Sequence, residues 1–104
     1  MSEQYDVNMV TISGEIVSQP ALIQLKNGAV MLIFTLRSLE RFRRSNGEWA
    51  TNRNQVRVEF LGKSAERHSG SISEGKRCAV SGYLRSDSTA PDVRVRGFHL
   101  QELS

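Results

Sequence analysis

The 104-residue sequence predicts an all-β fold, a five-stranded Greek-key barrel with a short helix between the third and fourth strands. Three observations support this. Segments of alternating apolar and polar residues recur along the chain, turn-forming residues separate them, and only residues 63–75 have helical character. This order is typical of the OB-fold, whereas an SH3-like barrel seldom carries a helix there. We expect residues 1–104 to form a single OB-fold domain, with its core between about 7 and 103.

The predicted strands are the segments in which apolar residues recur at every second position or run almost without interruption. They are residues 7–17, 29–37, 54–62, 76–86 and 92–103. The side chains expected to point into the barrel are Val10, Ile12, Ile16, Val56, Val58, Phe60, Cys78, Val80, Leu84, Val93 and Val95. The helix candidate is weak, since Gly70 and four serines favour only about two turns.

Turn residues separate the strands. Gly14 interrupts the first strand, where a bulge or a sharp bend is the usual reason. Asn27-Gly28 predicts a tight hairpin that needs positive φ, and Ala90-Pro91 predicts a turn before the last strand. Residues 39–53 show neither a strand nor a helix period, so we expect a long loop there.

Composition indicates a globular protein of a reducing compartment. Hydrophobic residues make up 38% of the chain, and its single cysteine cannot form an internal disulfide. Residues 1–8 lack the basic start and apolar run of a secretory signal, and the longest apolar run, AVMLIF, is too short to cross a bilayer. We therefore expect a cytoplasmic protein with no membrane partner.

The sequence contains no arrangement typical of catalysis, cofactor binding or metal binding. His68 and His99 have no cysteine or carboxylate at ligand spacing. Cys78 has no histidine partner and is expected in the core. The segment Gly62-Lys63-Ser64 lacks the earlier glycine of a phosphate-binding loop, because Arg57 stands there. We expect no enzymatic activity, no cofactor and no metal.

Positive charge is concentrated in arginine, which accounts for eleven of the fourteen basic residues. Guanidinium is planar, binds phosphate with two hydrogen bonds and stacks on rings. Unpaired bases stack on aromatic rings while cations follow the phosphates, so arginines interleaved with aromatic residues favour single-stranded nucleic acid. The expected phosphate contacts are Arg37, Arg41, Arg43, Arg44, Arg53, Arg57, Arg85, Arg94 and Arg96, and the expected stacking residues are Phe42, Trp49 and Tyr83. Duplex recognition would instead require a helix in the major groove, for which the chain has no candidate.

Four segments occur in the order and at the spacings of a known family: VNMVTISGEIVSQPAL, NGAVMLIFTL, VRVEFLGKSAE and EGKRCAVSGYLR. Together they resemble the bacterial single-stranded DNA-binding protein family and its relative, primosomal replication protein N. The resemblance implies an OB-fold that binds single-stranded DNA without catalysis and with little sequence preference. It also implies a homo-oligomer, a dimer or tetramer joined through first-strand surfaces, with a role in DNA replication, restart or repair.

The resemblance extends unevenly to individual positions. Phe42 falls where the family places a base-stacking aromatic, whereas Gln55 and Leu61 stand where it often has further rings. The hairpin 86–91 lacks an aromatic, and no acidic-tipped tail follows Leu103-Ser104, so we expect no tail-mediated recruitment of repair proteins. These features resemble the primosomal form more than the general one.

An alternative function follows from the same positions. Loss of rings at Gln55 and Leu61 favours an OB-fold subunit that assembles a larger nucleoprotein complex and binds nucleic acid weakly, or binds RNA. Replication-restart or repair proteins would then be partners. Because no feature of the sequence recognises a 2′-hydroxyl, DNA and RNA both stay open as ligands.

Overall fold

The computed structural model describes residues 4–87 and 90–103, without the side chains of residues 90 and 91. Its elements are β1 (Val10–Ile16), β2 (Ala21–Gln24), β3 (Val30–Arg43), β4 (Trp49–Leu61), α1 (Lys63–Ser69), β5 (Arg77–Asp87) and β6 (Ala90–Glu102). All of them except β2 were predicted; the sequence indicated no strand between residues 17 and 29. The helix has the short length expected from its glycine and serine content.

Five of the strands close into a barrel. β1 pairs with β5 and, at its end, with β3; β3 pairs with β4 and β5 with β6, all antiparallel, and β6 joins β4 in parallel. The short β2 extends the free edge of β3. This strand order, with α1 between β4 and β5, is the Greek-key OB-fold and confirms the predicted fold class.

The core consists of the inward side chains of the barrel strands and two residues that close one end. Its buried members are Ile16, Leu32, Phe34, Leu36, Val58, Phe60, Ala65, Ile72, Cys78, Val80, Val95 and Leu100. Val10, Ile12 and Val56 pack against them, as predicted. Leu84 and Val93, also predicted to point inwards, are 46% and 47% exposed. They lie where β5 and β6 continue past the barrel, so that prediction is wrong for these two residues.

A close approach of two strands explains the glycine in β1. Gly14 lies where β1 passes from β5 to β3, and a Cβ atom there would come within 2.1 Å of the Arg37 carbonyl oxygen. Any side chain would force β3 away and open the barrel at its seam. The predicted bend is therefore a steric requirement of closure.

Residues 39–53 form a long two-stranded ribbon instead of the predicted loop. β3 runs on to Arg43, β4 begins at Trp49, and the two pair continuously up to that point. The Arg44 amide donates to the Glu48 carbonyl oxygen at 2.7 Å, and Gly47 adopts a φ of 89° in the connecting turn. The ribbon projects beyond the barrel with polar residues on both faces, so its sequence lacks the apolar alternation by which a strand is recognised.

A second hairpin projects from the same end of the barrel. β6 begins at its tip and runs parallel to β4, which begins at the tip of the ribbon, so both tips point in one direction. Asp87 pairs with Ala90, and residues 88–89 lie outside the described residues. Ala90-Pro91 opens β6 and is not itself the predicted turn.

No helix in the described ranges, 4–87 and 90–103, is long and apolar enough to span a membrane.

Candidate nucleic-acid interface

Most of the predicted ligand contacts on β3 and β4 share one face. Opposite residues of an antiparallel pair point to the same side, and Phe34 and Val58 are partners that both point into the core. The pairs at the alternate positions therefore point outwards, away from the barrel interior. We call the outward residues of the projecting part the ribbon face: Arg37, Leu39, Arg41, Arg43, Trp49, Thr51, Arg53 and Gln55.

Trp49 is the exposed aromatic residue of the ribbon face, with 56% of its surface accessible. The guanidinium carbons of Arg41 and Arg43 lie 4.5 Å and 5.7 Å from its ring centroid. Arg43 also donates from Nε to the Gly47 carbonyl oxygen at 3.1 Å, which ties it to the turn. Cation–π contacts of this kind contribute about 0.5–1 kcal/mol at an exposed site. The indole is therefore braced in an exposed position by two of the predicted cations.

Phe42 lies on the reverse of the ribbon. Its cross-strand partner is Ala50, and it alternates with Arg41 and Arg43, which belong to the ribbon face. Tyr83 lies on β5, on the far side of β6. The three aromatic residues predicted to stack on bases are thus not brought together, and Trp49 alone belongs to the ribbon face.

The predicted cations divide into two groups by their ion pairs. Among the described residues, Arg41, Arg43, Arg44, Arg53 and Arg85 are exposed and form no salt bridge. Arg57, in contrast, donates from Nη2 to Asp92 Oδ2 at 2.6 Å, and Arg37 Nη2 lies 3.6 Å from Glu15 Oε1. The unpaired arginines can meet phosphates without giving up an ion pair.

Arg94 and Arg96 are held by one buried carboxylate. Glu59 is 3% exposed, and its Oε1 accepts hydrogen bonds from Arg94 Nε at 3.0 Å and from Arg96 Nε and Nη2 at 3.0 and 2.7 Å. Arg94 Nη2 also lies 3.9 Å from Asp87 Oδ1. Burial alone raises the pKa of the Glu59 carboxyl, but the hydrogen bonds and charges of Arg96 and Arg94 lower it by more, so the pKa lies below its ordinary 4.5.

Sequence reasoning missed two residues of this surface. Glu59 reads as an exposed strand residue, and only the parallel register of β4 and β6 brings Arg96 beside it. Phe98 is 46% exposed and contacts Tyr83 with ring centroids 5.2 Å apart. The sequence signal that could have identified Phe98 is an aromatic residue directly after a glycine in a predicted strand rich in arginine.

Gln55 and Leu61, which stand where the family often has aromatic residues, also lie on outward faces of the strands. Gln55 is the partner of Arg37 and belongs to the ribbon face, and Leu61 is the partner of Met31 nearer α1. The outward surface therefore presents an amide and an aliphatic side chain where the resemblance implies rings.

The remaining candidate groups have ordinary surroundings. No group of three or more His, Cys, Asp or Glu among residues 4–87 and 90–103 could hold a metal ion. Cys78 lies in the core as expected, and its burial raises the pKa of the thiol to about 11. At neutral pH the thiol is protonated and is a poor nucleophile.

Comparison with known proteins gives one family and several structures of the same fold. The sequence model of the Single-strand binding protein family matches residues 7–100. No curated protein matches the chain significantly.

Among solved structures, a deletion mutant of the single-stranded DNA binding protein from Thermus aquaticus is 23% identical with a TM-score of 0.83, covering 94% of this chain and 51% of its own. The small single-stranded DNA-binding protein from Streptomyces coelicolor is 19% identical, with a TM-score of 0.78 and 95% coverage of both chains. The Plasmodium falciparum protein, solved with single-stranded DNA, is 18% identical, with a TM-score of 0.83 and coverage of 99% and 100%. These likenesses establish the fold, and the chain spans about half of the Thermus protein.

Proposed function

Because the chain belongs to the Single-strand binding protein family, whose function is to bind single-stranded DNA, we propose that one DNA strand lies along its ribbon face. The observation that carries this proposal is the exposed Trp49, braced by Arg41 and Arg43 in a row that also contains Arg53. A base stacked on the indole would gain roughly 1–3 kcal/mol. The guanidinium groups on either side would meet its phosphates.

Binding of this kind does not depend on sequence and involves no catalysis. Phosphates and the π-faces of bases are common to every nucleotide, whereas sequence is read from base edges. Proteins of this family are binding proteins, and we propose that this chain likewise acts without enzymatic activity, in the cytoplasm, during DNA replication, restart or repair. Replication-restart and repair proteins are the partners to test first.

We further propose that the chain forms a homo-oligomer through β1. Residues 10–14 pair with β5 along one edge, and no strand among the described residues covers their other edge. An unpaired strand edge presents backbone groups to which a second copy can pair. Several ribbon faces in one assembly would bind a long strand more tightly than one face alone.

The second candidate is an OB-fold subunit that binds other proteins or RNA. Gln55 and Leu61 favour it, because outward positions that could stack on bases have no rings. On that account, the ribbon would serve a partner other than single-stranded DNA.

One titration tests the proposed function and separates it from the second candidate. Trp49 is the single tryptophan of the chain, so its fluorescence reports on the ribbon face. We expect oligo-dT of about 15 nucleotides to quench this fluorescence at low salt. For each tenfold rise in salt concentration, the binding constant should fall by about 0.7 logarithmic units per phosphate contacted. Matched RNA and duplex DNA are measured in parallel. Absence of quenching by oligo-dT at low salt would refute the proposal, and stronger binding of RNA would favour the alternative.

A further inference from the structure

Two aromatic residues remain exposed on the outward surface of β5 and β6. Tyr83 is 43% and Phe98 46% exposed, and their rings are in contact with planes inclined at 47°. We call these two residues the ring pair. Phe98 has no part in the function proposed above, and neither ring packs into the core.

A β-bulge and a glycine pair position the ring pair. Ser81 pairs with His99, and the next residue of β5, Gly82, pairs with Gly97. Phe98 therefore has no cross-strand partner and is the extra residue of the bulge. A Cβ atom on Gly82 would come within 2.2 Å of the Arg96 carbonyl oxygen, so the two strands approach too closely for any side chain there. The bulge places Phe98 outwards, on the side of Tyr83, while the next inward residue, Leu100, stays buried.

Guanidinium groups border the ring pair. Arg96 is the cross-strand partner of Tyr83. Arg85 lies two residues further along the same face and has no salt bridge within the described part of the chain. Glu59 and Asp87 together offset the charges of Arg94 and Arg96, so Arg85 supplies the uncompensated positive charge beside the rings. Rings flanked by cations match an unpaired base and its phosphate.

The ring pair is continuous with the ribbon face. β4 leads from Trp49 to Glu59, about 33 Å at the usual rise of a strand. Glu59 is then the parallel partner of Arg96, which is the partner of Tyr83. A strand that follows the outward side of β4 from Trp49 therefore arrives at the ring pair without passing over the core or α1.

We propose that Tyr83 and Phe98 form a second base-stacking platform, which takes an unpaired base and its adjoining phosphate from the same DNA strand that occupies the ribbon face. The inference rests on the proposed function, since it needs a strand already bound at Trp49. It adds a site on β5 and β6, with Phe98 as a residue that touches the ligand.

A reporter placed at the platform tests the inference directly. The double variant Trp49→Phe/Phe98→Trp has one indole, at position 98. Oligo-dT of about 15 nucleotides is expected to quench this indole over the same concentrations that quench Trp49 in the unchanged protein. Quenching of Trp49 but not of the indole at 98 overturns the platform and leaves the proposed function standing. If Trp49 itself is not quenched, both fail.

A second pair of variants separates a DNA platform from an interface between copies of the chain. Phe98→Leu, which keeps an apolar side chain without a ring, should weaken binding of a 15-nucleotide strand about tenfold and leave binding of a 5-nucleotide strand unchanged. Phe98→Tyr keeps the ring and is the matched control. Sedimentation equilibrium of each variant gives its oligomeric state. Weaker binding by an unchanged oligomer supports the platform; unchanged affinity, or a loss that accompanies dissociation, overturns it.

Discussion

Replacing Glu59 with alanine is expected to lower the free energy of unfolding by about 3–5 kcal/mol, because removing one partner of a buried ion pair leaves the other without compensation. In this protein the change leaves two guanidinium groups, those of Arg94 and Arg96, facing each other at a site where the carboxylate was 3% exposed. Urea unfolding at neutral pH measures the loss.

Glu40→Ala is the matched control for this variant. Glu40 is an exposed acid on the ribbon, and its removal should change the free energy of unfolding by no more than about 0.5 kcal/mol. Equal effects of the two substitutions would show that Glu59 does not hold the two arginines in solution.

The Glu59 carboxylate also makes the free energy of unfolding depend on pH, and the direction of that dependence follows from its pKa. The pKa of Glu59 in the folded protein lies below its ordinary 4.5, so the ionised form stabilises the fold. This contribution is fully present above pH 4.5 and is lost as the pH falls through the lowered pKa. Glu59→Gln should lack this part of the acid dependence, and parallel stability curves for the two proteins would contradict the assignment.

Reversing two unpaired charges of the ribbon is expected to weaken binding of oligo-dT at least about a hundredfold at low salt. Arg44 and Arg53 have no salt bridge within the described ranges, and Arg53 lies on the ribbon face. Each charged hydrogen bond to a phosphate contributes about 1.5–3 kcal/mol. For Arg44→Glu/Arg53→Glu, the plot of log affinity against log salt should also become shallower by about 1.4.

The matched control changes the same net charge at the other end of β4. Lys63 and Arg67, both on α1, are exposed, and α1 follows β4 at the end about 40 Å from Trp49. Lys63→Glu/Arg67→Glu should bind oligo-dT several-fold more weakly at most. If both double variants lose affinity equally, net charge alone governs binding and the ribbon face has no special role.

The sequence predicted the barrel well because a closed barrel requires residue patterns that can be recognised within single strands. Ile16, Val58 and Val80 alternate with polar residues, so their inward direction could be read from period two. Gly14 marked the seam, where a close approach excludes every side chain. The single short helix between β4 and β5 then selected the OB-fold among five-stranded barrels.

The sequence did not predict how the candidate site is arranged, because that depends on contacts between distant strands. The ribbon is solvated on both faces, so its strands show no alternation and were interpreted as a loop. The pairing of Arg94 and Arg96 with Glu59 arises from a parallel register that no local pattern encodes. For the same reason Phe42 was grouped with Trp49, although a single step along β3 places it on the other face.

Photocrosslinking tests most directly the central claim that the strand lies on the ribbon face. An oligo-dT of about 15 nucleotides with a 5-iododeoxyuridine at one position is irradiated with the protein, and the crosslinked peptide is identified by mass spectrometry. With the label moved along the strand, crosslinks should appear at Trp49 and in the adjoining parts of β3 and β4. Crosslinks confined to α1 or β2, with none on residues 37–55, would contradict the account.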